Sequence, residues 1–259
     1  MKLRQIYAAI DAAYPKKLSD EYVSAYGGHN NSGILVDTGE EISRALFSLD
    51  LSLGAIARAK ESGCRLIVTH HPAVFYPVSN ILADDPVGKR LIACIREGIS
   101  VISMHLNLDC APHGIDDWLC RGLGGRQEKI FEPLSSGGYG RVCSIAPCSL
   151  AEFSERVKKE FCTSRALVYG TEGEISRAAS FCGAGVDGSA IAHAKQEGAD
   201  VILSSDVKHN HICDILESGM KLVSIPHYAS ENYGFKKIYQ DLSGKLGVSS
   251  EYYEDAFML

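Results

Sequence analysis

The chain has 259 residues, 46% of them hydrophobic, and a formal net charge of -6, enough to bury one large core or two modest ones without staples. The negative balance, with no basic cluster larger than Lys158-Lys159 or Lys236-Lys237, excludes a general nucleic-acid binder and points to small-molecule partners. No apolar run approaches a membrane span; nine cysteines, an odd number with no C-x-x-C pair, fit reduced, buried thiols and a cytoplasmic location rather than a disulfide frame.

Residues 2–13 carry apolar positions at helical spacing and read as an amphipathic first helix, since Asp11 interrupts the run and no cleavage-type end follows. A Gly/Asn loop leads to a strand at 34–36, followed by a strand at 45–49, a helix at 53–61 closed by Gly63, and a strand at 66–69. Residues 82–85 are a loop. A helix at 87–97, a strand at 101–104 and a helix at 114–123 complete the first part. Ser135-Ser136-Gly137-Gly138-Tyr139-Gly140 is the best linker candidate by composition. Beyond it the pattern predicts strands at 141–146, 166–169, 178–181, 201–204 and 222–225, helices at 151–161, 189–197 and 212–217, then a final helix at 231–246 before 251–253. Strands alternating with helices define an α/β chain with mainly parallel sheets.

The halves repeat one another. Glu41-Ile42-Ser43-Arg44-Ala45 recurs as Glu174-Ile175-Ser176-Arg177-Ala178, an offset of 133, and the helix from Ala57 to Gly63 recurs from Ala192 to Gly198, an offset of 135. Gly98 to Met104 matches Gly219 to Ile225 at an offset of 121, and each of these strands then delivers a histidine followed four residues later by a carboxylate: His105/Asp109 and His227/Glu231. The predicted organisation is a duplication that puts four strand-end clusters around a shared site, with domains at 1–127 plus 225–259 and at 128–224.

The strand at 66–69 ends in Thr69-His70-His71-Pro72, and ligands of open α/β sheets collect beyond the carboxyl ends of such strands. His70, His71, Asp109, His227 and Glu231 give three imidazoles and two carboxylates, a donor set for Zn, Fe(II), Mn, Co or Ni. Five donors are enough for two divalent ions that acidify water for hydrolysis. His105 is the candidate catalytic residue: a ligand, a proton shuttle or a group that holds Asp109. His113, His193, His209 and His211 lack comparable positions. Each candidate also has a plainer reading: His227 could begin the final helix with Glu231 in its first turn, and Asp109 could be a turn residue before Pro112.

The ordered set Thr69-His70-His71-Pro72 with Phe75, His105-Leu106-Asn107-Leu108-Asp109, Gly114-Ile115-Asp116-Asp117, Cys182-Gly183-Ala184-Gly185 and His227-Tyr228-Ala229-Ser230-Glu231 resembles the dinuclear metal-centre proteins known as GTP cyclohydrolase 1 type 2-like, or NGG-interacting-factor-three-like. The resemblance spans nearly the whole chain. It implies two intertwined α/β domains, two divalent ions per chain on His70, His71, Asp109, His227 and Glu231 with Glu231 bridging, and a toroidal homohexamer. It also implies a metal-dependent hydrolase using metal-activated water, with a nucleotide such as GTP among the candidate substrates. The alternative is a non-enzymatic, ring-shaped metal-binding or scaffold protein. Ser204-Ser205-Asp206 and Pro226 depart from the family's usual residues at those turns.

Overall fold

Short apolar runs become strands buried on both faces when helices cover them, which is the environment of a parallel sheet. In the computed structural model, which describes residues 1–258, the chain divides into two compact units: residues 1–108 with 235–258, and residues 109–234. Leu259, the end of the expected first domain, lies outside the described residues. The expected division and the compact units differ over residues 109–127 and 225–234.

Unit 1 contains α1 (Leu3–Ala13), α2 (Lys17–Tyr26), β1 (Gly33–Val36), β2 (Arg44–Ser48), α3 (Leu53–Glu61), β3 (Leu66–Thr69), α4 (Pro86–Arg96), β4 (Ser100–Ser103) and, near the C-terminus, β11 (Ser249–Tyr253). Its sheet has the order β1-β4-β3-β2-β11; β4, β3, β2 and β11 are parallel to their neighbours and β1 pairs antiparallel with β4. Alternation along the strands sorts the side chains. Leu46 and Ile67 pack with Ala55, Ile56 and Leu91 of α3 and α4, whereas Phe47 turns to the opposite face, against Phe235 and Tyr239. Each such large side chain, fully buried, contributes about 1.5–3 kcal/mol.

Unit 2 contains α6 (Ile115–Gly122), β5 (Arg126–Pro133), β6 (Gly138–Ser149), α7 (Leu150–Glu160), β7 (Leu167–Tyr169), β8 (Glu174–Ser180), α8 (Gly188–Gln196), β9 (Val201–Ser204), α9 (His209–Glu217) and β10 (Lys221–Ser224). Its sheet has the order β5-β6-β8-β9-β10-β7, with β8, β9 and β10 parallel and the remaining pairs antiparallel. Two helices cross the unit boundary, α5 (Leu106–Cys110) and α10 (His227–Leu242).

The duplication is visible strand by strand. β2-α3-β3-α4-β4 and β8-α8-β9-α9-β10 are the same parallel arrangement, and the strand before each, β1 or β7, lies antiparallel on the last, β4 or β10. The equivalent helices start alike, with Ser52 accepting from Ala55 N at 3.0 Å and Asp187 from Ala190 N at 2.9 Å. They also end alike, on Gly63 and Gly198 at φ 71° and 73°.

Four expectations are corrected. The stretch from Ser135 to Gly140 is no linker: it holds the turn of an antiparallel hairpin, with Leu134 N donating to Gly137 O and Pro133 opposite Gly138. A helix, α2, follows Pro15, where a loop is expected. β5 precedes the turn, where no strand is expected. The last helix begins at His227, four residues earlier than predicted, so His227 and Glu231 share one helix face. Among the described residues no helix is long and apolar enough to cross a membrane, and all nine cysteines are free.

Candidate metal centre

In unit 1 the buried strand β3 runs out at Thr69, and both His70 N and His71 N donate to Leu49 O. Thr69 Oγ1 donates to His71 O at 2.7 Å and lies 2.8 Å from Ser103 Oγ at the end of β4. These hydroxyls fix the loop that carries both imidazoles. The rings of His70, His71 and His105 cluster, with centroids 4.8 Å apart for His70/His71, 5.3 Å for His70/His105 and 6.1 Å for His71/His105. His70 is wholly buried and its ring also packs on Phe235, with centroids 6.2 Å apart.

Each ring is oriented through Nδ1. That of His70 lies 2.8 Å from Met104 O, that of His71 2.6 Å from Asp50 Oδ1, and that of His105 3.3 Å from Asn31 Oδ1. A carbonyl or carboxylate oxygen only accepts, so Nδ1 carries the proton in the neutral ring and Nε2 keeps the lone pair.

In unit 2, His227 opens α10 and its Nε2 lies 2.9 Å from Glu231 Oε2, one turn on. Its Nδ1 lies 2.7 Å from Asp206 Oδ2, in the turn after β9. Glu231 and Asp109 are buried, at 4% and 5% exposure, and so is Cys182 at 3%. Ligand atoms of Asp109, Cys182 and Glu231 all lie within 4.8 Å of one another. Burial first, then the neighbouring carboxylates, hold the Cys182 thiol well above its ordinary range.

The loop after β8 is built around Asp116. Its carboxylate accepts from Cys182 N at 3.1 Å and from Gly140 N, and Arg141 lies 3.6 Å away. Burial pushes its pKa up to about 7 against the pull of Arg141 and both backbone donors. Tyr139 OH donates to Cys182 O at 2.5 Å. Gly183 follows at φ 56°, and a Cβ there would stand 2.6 Å from Glu231 Oε1 and 3.2 Å from His227 Nε2. The glycine keeps the space in front of both side chains open.

The donor set suits divalent ions: imidazole nitrogens with oriented partners, buried carboxylates and one thiol. All six sequence-predicted residues lie in these two groups, His70, His71 and His105 in unit 1 and Asp109, His227 and Glu231 in unit 2. Sequence reasoning missed Cys182, Asp50 and Asp206 as participants. Asp206 had a signal, since the repeat aligns it with His71; Cys182 stands in the family-like run Cys182-Gly183-Ala184-Gly185, which names no ligand role for it, and Asp50 had only its strand-end position. His193 packs on Phe131, with centroids 5.1 Å apart, and His113 lies 3.5 Å from Asp117.

A duplicated α/β chain whose strand ends present histidines and buried carboxylates is a candidate metal-binding protein of the two-sheet α/β class. Residues 1–254 match the family Duf34/NIF3 (NGG1p interacting factor 3), and the chain belongs to that family. It is 30% identical over 258 residues to the "GTP cyclohydrolase 1 type 2 homolog" of Clostridium perfringens, covering 97% of this chain and 95% of that protein. A protein of the same name from Methanocaldococcus jannaschii is 31% identical over 251 residues, covering 96% and 97%. Among solved structures, reduced HcgD from Methanocaldococcus jannaschii superposes with a TM-score of 0.82 at 29% identity over 98% of each chain.

Proposed function

We propose that the chain is a metal-dependent hydrolase with two divalent ions held by His70, His71, Asp109, His227 and Glu231. The observation that carries this reading is the shared orientation of the imidazoles. His70, His71 and His227 each direct Nδ1 at an oxygen acceptor, which makes Nε2 the lone-pair nitrogen in the way metal-binding histidines require. Along the chain, each carboxylate stands close to residues of the histidine group. Asp109 stands one helical turn after His105, and Glu231 stands one turn before Phe235, whose ring packs on His70.

Divalent ions in such a centre polarise a substrate oxygen and lower the pKa of water towards neutrality. The chain's own residues prepare that chemistry. Asp50 and Asp206 lock the tautomers of His71 and His227; Asp109 and Glu231 offset positive charge; His105, half-buried beside His70 and His71, is placed to move a proton. A cavity of about 690 Å³ borders Asp206 and Pro226, walled by Leu167, Tyr169 and Ile212, with Arg165 as its cation. That volume admits a nucleotide-sized substrate with an anionic group, in keeping with the names of the relatives.

The exposed segment with Phe75 at 43%, Tyr76 at 62% and Leu82 at 50% exposure favours a second reading, a metal-binding scaffold that recruits partners or assembles into a ring. Elemental analysis and turnover over a nucleotide panel separate the two. About two ions per chain with hydrolysis supports the enzyme; two ions without turnover supports the scaffold; zero ions after incubation with Zn, Mn and Fe(II) overturns both. Light scattering tests the assembly, since a monomer at micromolar concentration contradicts a ring.

A further inference from the structure

We propose that Cys182 is a sulfur ligand for the ion held by Asp109 and Glu231. The inference rests on the reading that these carboxylates bind a divalent cation, and it extends the donor set from nitrogen and oxygen to sulfur. Cys182 Sγ stands 3.4 Å from Asp109 Oδ1, and all three donors fall within 4.8 Å of one another. For bonds of about 2.0–2.3 Å, neighbouring ligand atoms around a tetrahedral ion are separated by about 3.5 Å. The thiol and the Asp109 carboxylate already have that spacing.

The sulfur is held there by its backbone. Asp116 accepts from Cys182 N, and Tyr139 donates to Cys182 O, while the open face at Gly183 leaves room beside Glu231 and His227. The two buried carboxylates beside the thiol gather like charge unless a cation accompanies them. On binding, the S–H bond breaks, the proton passes to solvent, and the sulfur lone pair forms the bond to the ion; no electron is exchanged. A sulfur donor also biases the centre towards zinc, iron or cobalt over manganese or magnesium.

Cobalt(II) makes this visible, because a thiolate ligand adds a sulfur-to-cobalt charge-transfer band in the near ultraviolet to the visible d–d bands. The cobalt-loaded protein is expected to show both. Cys182→Ser should keep the d–d bands, lose the charge-transfer band and bind cobalt at least about tenfold more weakly; Cys182→Ala is a second variant should the serine chain fold poorly. A cobalt-loaded parent chain with d–d bands alone, or a charge-transfer band unchanged in Cys182→Ser, overturns the inference. Absence of any cobalt binding would instead remove the underlying metal reading, a result distinguishable because the d–d bands are then missing too.

Discussion

Nδ1 of His227 lies 2.7 Å from Asp206 Oδ2, while the opposite nitrogen of the same ring lies 2.9 Å from Glu231 Oε2. A neutral imidazole that donates from Nδ1 turns a lone pair towards a carboxylate, an arrangement stabilised by a cation bound to both. Asp206 therefore serves the site by fixing which nitrogen faces Glu231. His71 and Asp50, 2.6 Å apart, make the corresponding pair in unit 1.

Asp206→Asn and Asp50→Asn should each weaken metal binding by about 10- to 100-fold while leaving the fold intact, because partners of this kind orient the ligand and raise its basicity. Competition against a chelating dye measures the affinity, and far-ultraviolet circular dichroism checks the fold. Unchanged affinity in both variants would mean that the two histidines are not ligands.

Glu231 and Asp109 are formal counterparts in the duplication, yet the family resemblance implies the bridging role for Glu231 alone. Glu231→Gln should therefore release both ions, whereas Asp109→Asn should release mainly one. Metal content of the two variants, with His113→Gln as a control, decides the matter. Equal losses would reassign the bridge, and full retention in Glu231→Gln would leave the segment from His227 to Glu231 as a helix start only.

These tests bear on residues with unequal visibility in the sequence. His70, His71, His105 and His227 were legible because each follows a short β run, and the internal repeat gave their strands the same ends. The parallel strands and their helices were legible for the same reason. α2 was not, since Leu18 and Ser19 are its buried residues and Pro15 reads as a terminator rather than as the residue before a new helix. β5 is rich in charge and ends in Pro133, so no alternation marks it. Its turn resembles a linker in composition, but Gly137 is there because a Cβ would overlap Cys110 O. Cys182 stood in a family-like run, but its place beside the carboxylates was not legible: Asp109 and Glu231 are distant from it in sequence, and an apolar strand end gives no sign of which side chains fold against it.

Glu251 ties β11 to unit 1, accepting from Arg44 Nη2 at 3.2 Å and Arg58 Nη2 at 2.9 Å. Burial alone would raise its pKa, but Ser62 and the two arginines outweigh burial and hold the carboxyl below its ordinary value. A depressed folded-state pKa contributes stability that is complete above the ordinary glutamate value of about 4.3 and is lost as pH falls through the folded value. Glu251→Gln should cost about 1 kcal/mol near neutral pH, at the upper end for partly exposed pairs, or about 2–4 °C in Tm. The gap between the two chains should close as pH falls below about 4.3. Thermal melts across that range test the sign, and a gap that widens in acid would show that the arginines do not stabilise the ionised form.

Gly183 separates the effect of backbone strain from the effect of filling the site. At φ 56° an alanine is strained, and its Cβ would stand 2.6 Å from Glu231 Oε1 and 3.1 Å from His227 Cε1. Gly219 has φ 84° with nothing within 4 Å of the corresponding position, so an alanine there meets the strain without the collision. Both Gly183→Ala and Gly219→Ala should lose about 1–2 kcal/mol to the left-handed backbone, seen as a decrease in Tm in each. Only Gly183→Ala should also lose bound metal, because Glu231 and His227 must move aside to admit the methyl group. Equal metal content in the two variants would mean that Glu231 and His227 bind nothing on the side that faces Gly183. Metal loss in Gly219→Ala as well would attribute the effect to general destabilisation rather than to the space that the glycine keeps open.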